Sequence, residues 1–243
     1  MRRGPAVDLS AYAGAAGLLV RNPSILLAPF AASLLQIVLT LMAGSMSGGI
    51  VGSLNGGLAL LIAQLVNSVG LAVAIIGADY AWRRGRTNFS ETWDDARRKL
   101  PDILMAALGF NFIVFVALQI GGFLNAIAAL ALGALALFFF IYTLPAAAIG
   151  GIPGGASLQI SLERARASPL PTALVFVVYV LTFYILSAIA SGYLLGWLVS
   201  LGVPASNLVA ALVVAVVQAI LSSYVALVLA KTYADLSYGR RWS

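Results

Sequence analysis

No cysteine and no histidine occur among the 243 residues, and only 9% of them are charged. The first two absences exclude disulfides, zinc–thiolate sites and histidine-ligated haem. They also exclude any mechanism that needs a histidine base. The third excludes a globule in water, which carries about 25% charged residues. What is left is 62% hydrophobic, which points to lipid as the solvent.

The few charges are clumped. Residues 22–78, 103–162 and 167–230 contain no Lys, Arg, Asp or Glu. A membrane-spanning helix needs about 20 apolar residues, so each run holds two spans and a short turn. The expectation is an all-α integral membrane protein, a single polytopic domain over 1–243. Its six transmembrane helices form three hairpins, at about 24–44, 58–82, 103–121, 126–149, 171–197 and 207–231. A β-barrel is excluded, because barrel strands alternate apolar and polar residues and these runs do not. Met1, Arg2 and Arg3 resemble the start of a signal peptide, but 9–20 is Ala/Gly-rich and amphipathic. The first span is therefore expected to serve as the insertion signal.

The turns inside the hairpins, 44–57, 121–125 and 200–207, carry no charge. All fourteen Lys and Arg residues fall in the termini and in 79–102 and 163–166 or at Lys231. By the positive-inside rule both termini and both long loops are cytoplasmic, in a bacterial inner membrane. The net charge of +6 is then an attraction to anionic lipid headgroups, with no nucleic acid partner.

Each hairpin follows a short amphipathic stretch that ends at a proline, giving repeat units of about 8–82, 89–149 and 157–233. In the first stretch Leu9, Tyr12, Ala16 and Val20 share a helical face ahead of Pro23. In the second Phe89, Trp93, Ala96 and Leu100 do so ahead of Pro101. In the third Leu158, Leu162 and Ala165 do so ahead of Pro169. The pattern predicts three interfacial helices in a pseudo-threefold repeat, with proline ending each one.

The second stretch is the most charged. Asn88 or Ser90 can cap it, and Asn88 with Glu91 has capping-box spacing. Acids come early and bases late, in accord with the helix dipole. Asp94 with Arg98 and Asp95 with Lys99 are expected i,i+4 pairs. Arg83, Arg84, Arg86, Trp93, Arg97, Arg98 and Lys99 are the candidate contacts for lipid headgroups or a partner protein. No Gly-rich phosphate loop accompanies them.

Inside the spans the polar residues are Gln36, Gln64, Asn67, Asn111, Gln119 and Gln218. They serve either as interhelical hydrogen bonds or as the lining of a solute path, and their spacing does not separate the two. Gly44, Gly48, Gly52 and Gly56 recur every four residues, which suits either a close-packed helix face or a flexible loop. Pro145, Pro169 and Pro171 are candidate hinges.

Three features together resemble a known family. They are the amphipathic start running into LLVRNPSIL at 18–26, the Leu144–Pro145 span end followed by an amphipathic helix and Pro169, and the last span ending Tyr233-Ala-Asp235-Leu236. The chain resembles the YciC-like inner-membrane proteins and the related membrane domain fused to glycerophosphodiester phosphodiesterases. The resemblance implies six helices in a bacterial inner membrane. The phosphodiesterase catalytic domain is not in this sequence, so its activity does not carry over.

No constellation for catalysis and no cofactor site is legible. The expected function is that of a non-catalytic membrane scaffold or accessory subunit binding other membrane proteins. The alternative is a small-solute or lipid permease with a polar mid-membrane path. An ABC-type permease subunit fits less well, since 90–100 lacks a glycine-containing coupling pattern.

Overall fold

The structure, a computed structural model, describes residues 10–45, 49–202 and 207–238, with side chains except at 40–60, 184, 207 and 238. The calls on Leu9 and Gly48, and on both chain termini, lie outside the described residues.

Among the described residues every regular element is helical. In order they are α1 Ser10–Arg21, a 3-10 turn Pro23–Leu26, α2 Leu27–Ser45, α3 Gly49–Arg84, α4 Phe89–Arg98, α5 Leu100–Leu124, α6 Ala126–Phe140, α7 Thr143–Ala148, α8 Gly154–Ala167, α9 Pro169–Val180, a π-helical segment Leu181–Leu186, α10 Ser187–Ser200 and α11 Asn207–Tyr238. Five helical segments are long and apolar enough to cross a membrane: Leu61–Arg84, Leu100–Leu124, Ala126–Ala148, Pro169–Ser200 and Leu208–Ser237. A sixth arises if α1 and the start of α2, which meet at 92°, count as one broken span. Helices are the natural answer to apolar surroundings, because they satisfy their own backbone hydrogen bonds.

The prolines act at helix starts. Pro23, Pro101 and Pro169 each occupy the first turn of the element that follows, where the missing N–H costs nothing. Pro145 acts from inside. It lacks the N–H that would reach Ile141 and its ring crowds that carbonyl, and the helix breaks into α6 and α7 at Ile141 and Tyr142. The expected span 126–149 is present as Ala126–Ala148, with a break at Ile141 and Tyr142 inside it. The stretch 44–57 is not one long turn: α2 runs through Gly44 to Ser45, and α3 is helical from Gly49 through Gly52 and Gly56. Small apolar residues in lipid gain more from continued helical bonding than from an open loop.

The helices are buried very unequally. The apolar windows of α3 and α11 are each 61% buried, against 17% for α5 and 18% for the segment built from α9, the π turn and α10. So α3 and α11 pack together at the centre, and the others surround them. The dense core lies towards the charged end. It takes in 71–76 of α3, Ile141, Tyr142 and Leu144 beside the α6–α7 break, and 225–230 of α11. Further from that end large apolar side chains face outward, among them Phe123, Ile127 and Tyr193.

The short helices bury only part of the face the apolar pattern suggests: Ala96 and Ala165 are inside as expected, and the larger members of each face are not. Helix α1 buries Ala11 and Ala15, while Val20 is 83% exposed. Helix α4 buries Thr92 and Ala96 and leaves Trp93 exposed. Helix α8 buries Ser157, Ser161 and Ala165, with Leu158 and Leu162 half-buried. In each case the small or hydroxyl-bearing side goes in. Close approach of backbones favours small residues, and large apolar ones lose little by facing lipid.

Gly70 shows how close the approach is. A Cβ there would stand 2.5 Å from the Ala32 Cβ and 3.2 Å from the Ala28 carbonyl on α2. Gly70→Ala is expected to lower unfolding stability in detergent by about 1–3 kcal/mol. Gly17→Ala, at a site with nothing within 4 Å, is the control and should be neutral or slightly stabilising.

Candidate functional site: the charged end of the bundle

The bend between α1 and α2 is held by one buried amide. Asn22 donates from Nδ2 to the Leu18 carbonyl at 3.0 Å, an end carbonyl of α1, and to the Gly85 carbonyl at 3.3 Å. Its Oδ1 accepts from the Thr87 backbone N–H at 2.8 Å. Ser24 donates to the Thr87 carbonyl at 3.3 Å, and the Thr87 and Thr92 hydroxyls lie 3.1 Å apart. The α3–α4 turn that reaches Asn22 passes through Gly85 at φ +73°, a conformation glycine adopts without strain.

Helix α4 then folds back along the end of α3. Arg84 pairs with Glu91, and the Tyr80 hydroxyl donates to Asp95 at 3.3 Å. Asn88 caps α4, accepting from the Ser90 N–H at 3.0 Å, while Glu91 is taken by Arg84 instead of closing a capping box. Asp95 also receives Lys99 at 3.0 Å, as expected, and Lys99 reaches on to the Ala148 carbonyl at 2.9 Å. Arg98 lies 3.6 Å from Asp95, not on Asp94. The pairing expected between Asp94 and Arg98 fails because Asp95 faces α3 and Asp94 faces outward.

Further ties bring in the later helices. Asp102 on α5 accepts the Gly154 N–H at 3.1 Å, at the start of α8. Arg83 pairs with Asp79 at 2.9 Å, and Lys231 with Asp235 at 3.0 Å. Trp82 donates its indole N–H to the Leu227 carbonyl at 2.9 Å, and Lys231 stands 5.7 Å from its ring. On α8 the Arg164 guanidinium lies 4.5 Å over the Tyr233 ring.

Most of the candidate contact residues are thus cross-links within the fold. Arg83, Arg84, Arg98 and Lys99 each have a carboxylate partner. Arg86 and Arg97 are exposed, and Trp93, 45% exposed, stacks on Phe89 at 6.2 Å. Those three form the outward surface available to a headgroup or a partner.

Among the mid-span amides Asn111 ties two helices together. Asn111 donates to the Ser68 hydroxyl at 2.9 Å and to the Ala107 carbonyl at 2.8 Å, joining α5 to α3. Gln64 and Gln119 are exposed, and Gln36, Asn67 and Gln218 are half-buried on three different helices. The small cleft between α2, α3 and α4 lies elsewhere, between Ile25, Gly77 and Thr92, with about 10 Å³ of room, enough for one water. Among the described residues no three acids converge as a metal-ligand set.

Asn22, Trp82, Asp102 and Arg164 carry much of this end, and the sequence pattern does not single them out as contacts. Asn22 has a local signal, a short polar residue directly before a proline. For the others the partner is remote in sequence. Asn22→Ala leaves the Thr87 N–H and the Gly85 carbonyl without their partner, so a loss of about 1–3 kcal/mol is expected. Limited proteolysis between 84 and 88 should speed up in parallel with the fall in melting temperature. No family model, curated protein or solved structure matches this chain.

Proposed function

We propose that the protein is an integral membrane scaffold or accessory subunit without catalytic activity of its own, which binds other membrane proteins through its outward helix faces. The observation that carries this reading is the surface of α5, α6 and α10. Their apolar segments, 100–124, 126–148 and 169–200, are long and little buried, and among the mid-span amides Gln64 and Gln119 are exposed. Such faces suit lateral helix–helix contact in a bilayer, where van der Waals packing drives association.

In this reading the chain forms three hairpins in a bacterial inner membrane, related by a faint threefold repeat, with both termini and the charged end in the cytoplasm. The short helices α1, α4 and α8 lie at the headgroup level, and Arg86, Trp93 and Arg97 meet anionic lipid or a soluble segment of a partner. The likeness to YciC-like proteins belongs to the same proposal. Its support is the charge asymmetry of the sequence together with the grouping of the described ionic contacts at one end of the bundle.

The cysteine-free chain makes orientation directly measurable. Gly122→Cys, exposed in the last turn of α5, should react with a membrane-impermeant maleimide in intact spheroplasts. Ser90→Cys, exposed at the start of α4, should react only after lysis. The reverse pattern overturns the orientation. For the scaffold itself, purification in mild detergent at native expression should return a complex of fixed stoichiometry; recovery of the bare protein counts against it.

A further inference from the structure

The cations of the charged end fall into groups. Arg83, Arg84, Arg98, Lys99 and Lys231 have carboxylates. Arg21, Arg86, Arg97 and Arg166 are exposed. Arg164 belongs to neither group. It is half-buried, its Nε is enclosed and finds no hydrogen-bond partner, and no carboxylate pairs with it. The neighbouring acid on α8, Glu163, is exposed and taken by the Gln159 amide at 2.8 Å.

A guanidinium carries N–H donors and no acceptor. The Tyr233 ring offers it a face at 4.5 Å, which attracts the cation but accepts none of its in-plane N–H groups. That ring is rigid. Tyr233 is 1% exposed, with the Tyr142 ring 6.4 Å away and Gly150 against its hydroxyl. The plane of Arg164 is therefore shelved; the enclosed Nε is closed to an outside acceptor, and the edge formed by the two terminal nitrogens is the one open to it. Arg164 also stands five residues ahead of Pro169, where the chain enters the uncharged run 167–230.

We propose that Arg164, held on Tyr233, is the seat of a phosphate-binding site that takes the headgroup phosphate of a phospholipid. The two N–H groups along an edge of a guanidinium match two oxygens of a phosphate, with charge assistance. The level of the site, between the charged end and the apolar run, is the level at which headgroup phosphates lie. The assignment to lipid rests on the membrane reading given above; the phosphate chemistry rests on Arg164 alone. Arg166, two residues on, projects from another side of α8 and adds positive potential without sharing the shelf.

The test uses the full chain purified in detergent, with retained lipid counted by native mass spectrometry and stability followed by melting. The probes are phosphatidylglycerol, a galactosyl diglyceride without phosphate, and inorganic phosphate. Wild type should retain phosphatidylglycerol over the glycolipid, and R164Q should bind it about tenfold more weakly. R166Q should bind as wild type does. R164K, which keeps the charge and loses the fork, should fall between, and it carries the test if R164Q does not fold. Inorganic phosphate stabilising wild type but not R164Q, with no lipid preference, upholds the phosphate site and assigns it to a soluble ligand. Equal retention by wild type, R164Q and R164K overturns the site, as does an equal loss in R166Q, which would mark general surface charge. Resistance of each variant to alkaline extraction reports membrane insertion separately, so failure of the membrane reading is distinguishable from failure of the site.

Discussion

Trp82 of α3 and Leu227 of α11 share a hydrogen bond across a separation of 145 residues, and the architecture hangs on the seam it marks. The two helices are long, 36 and 32 residues, or about 54 and 48 Å at 1.5 Å per residue. A hydrocarbon layer is only about 30 Å thick. The excess length is where the polar contacts are: Asp79 to Arg84 on one helix, Lys231 to Asp235 on the other. Against that projecting pair α1 and α4 pack their small faces, α8 packs its own against α5, α6 and α7, and the hydrogen bonds of Asn22, Asp95, Lys99 and Asp102 fasten the joints.

Cohesion is accordingly distributed along the bundle axis in a lopsided way. Towards the charged end, helices touch through alanine, glycine and serine, and polar side chains complete the backbone groups left open at helix ends. Towards the other end α5 and α6 interlock by glycine, Gly121 against the Ala129 backbone and Gly133 against Leu118, yet share little with α10. Helix α10 has no buried residue of its own, and it follows a π turn in which Thr182 is buried. Hydrogen bonds to backbone contribute order at the first end, and lipid must cover the second.

The spans were legible in the sequence because charge is excluded from hydrocarbon at a cost of several kcal/mol, a constraint that acts on every residue of a run. Helix starts at Pro23, Pro101 and Pro169 were legible for an equally local reason. The buried faces were legible only in part. In water Val20 would mark the inside of α1, but when both surroundings are apolar the smaller side is the one that packs, and Ala11 and Ala15 take the place of Ala16 and Val20. The same ambiguity hid Ser157 and Ser161 on α8. Choosing between Asp94 and Asp95 as the partner of Arg98 required knowing on which side α3 lies. Of the contact residues named from charge alone, most have a carboxylate partner within the fold, while Arg164, which has no carboxylate, gave no signal beyond its type.

Helix α1 and the turn after it are completed by residues made some two hundred positions later. The Tyr224 hydroxyl donates to the Tyr12 carbonyl, and Ser223 donates to Ile25, across 212 and 198 positions. At a synthesis rate of 5–20 residues per second, about 10–40 s separate the emergence of these partners. Throughout that interval the side of α1 that buries Ala11 and Ala15 stands without its neighbour, and the seam on α3 has nothing to close against. Assembly is thus ordered by synthesis: α1 acquires its contacts with α11 only when that later helix arrives.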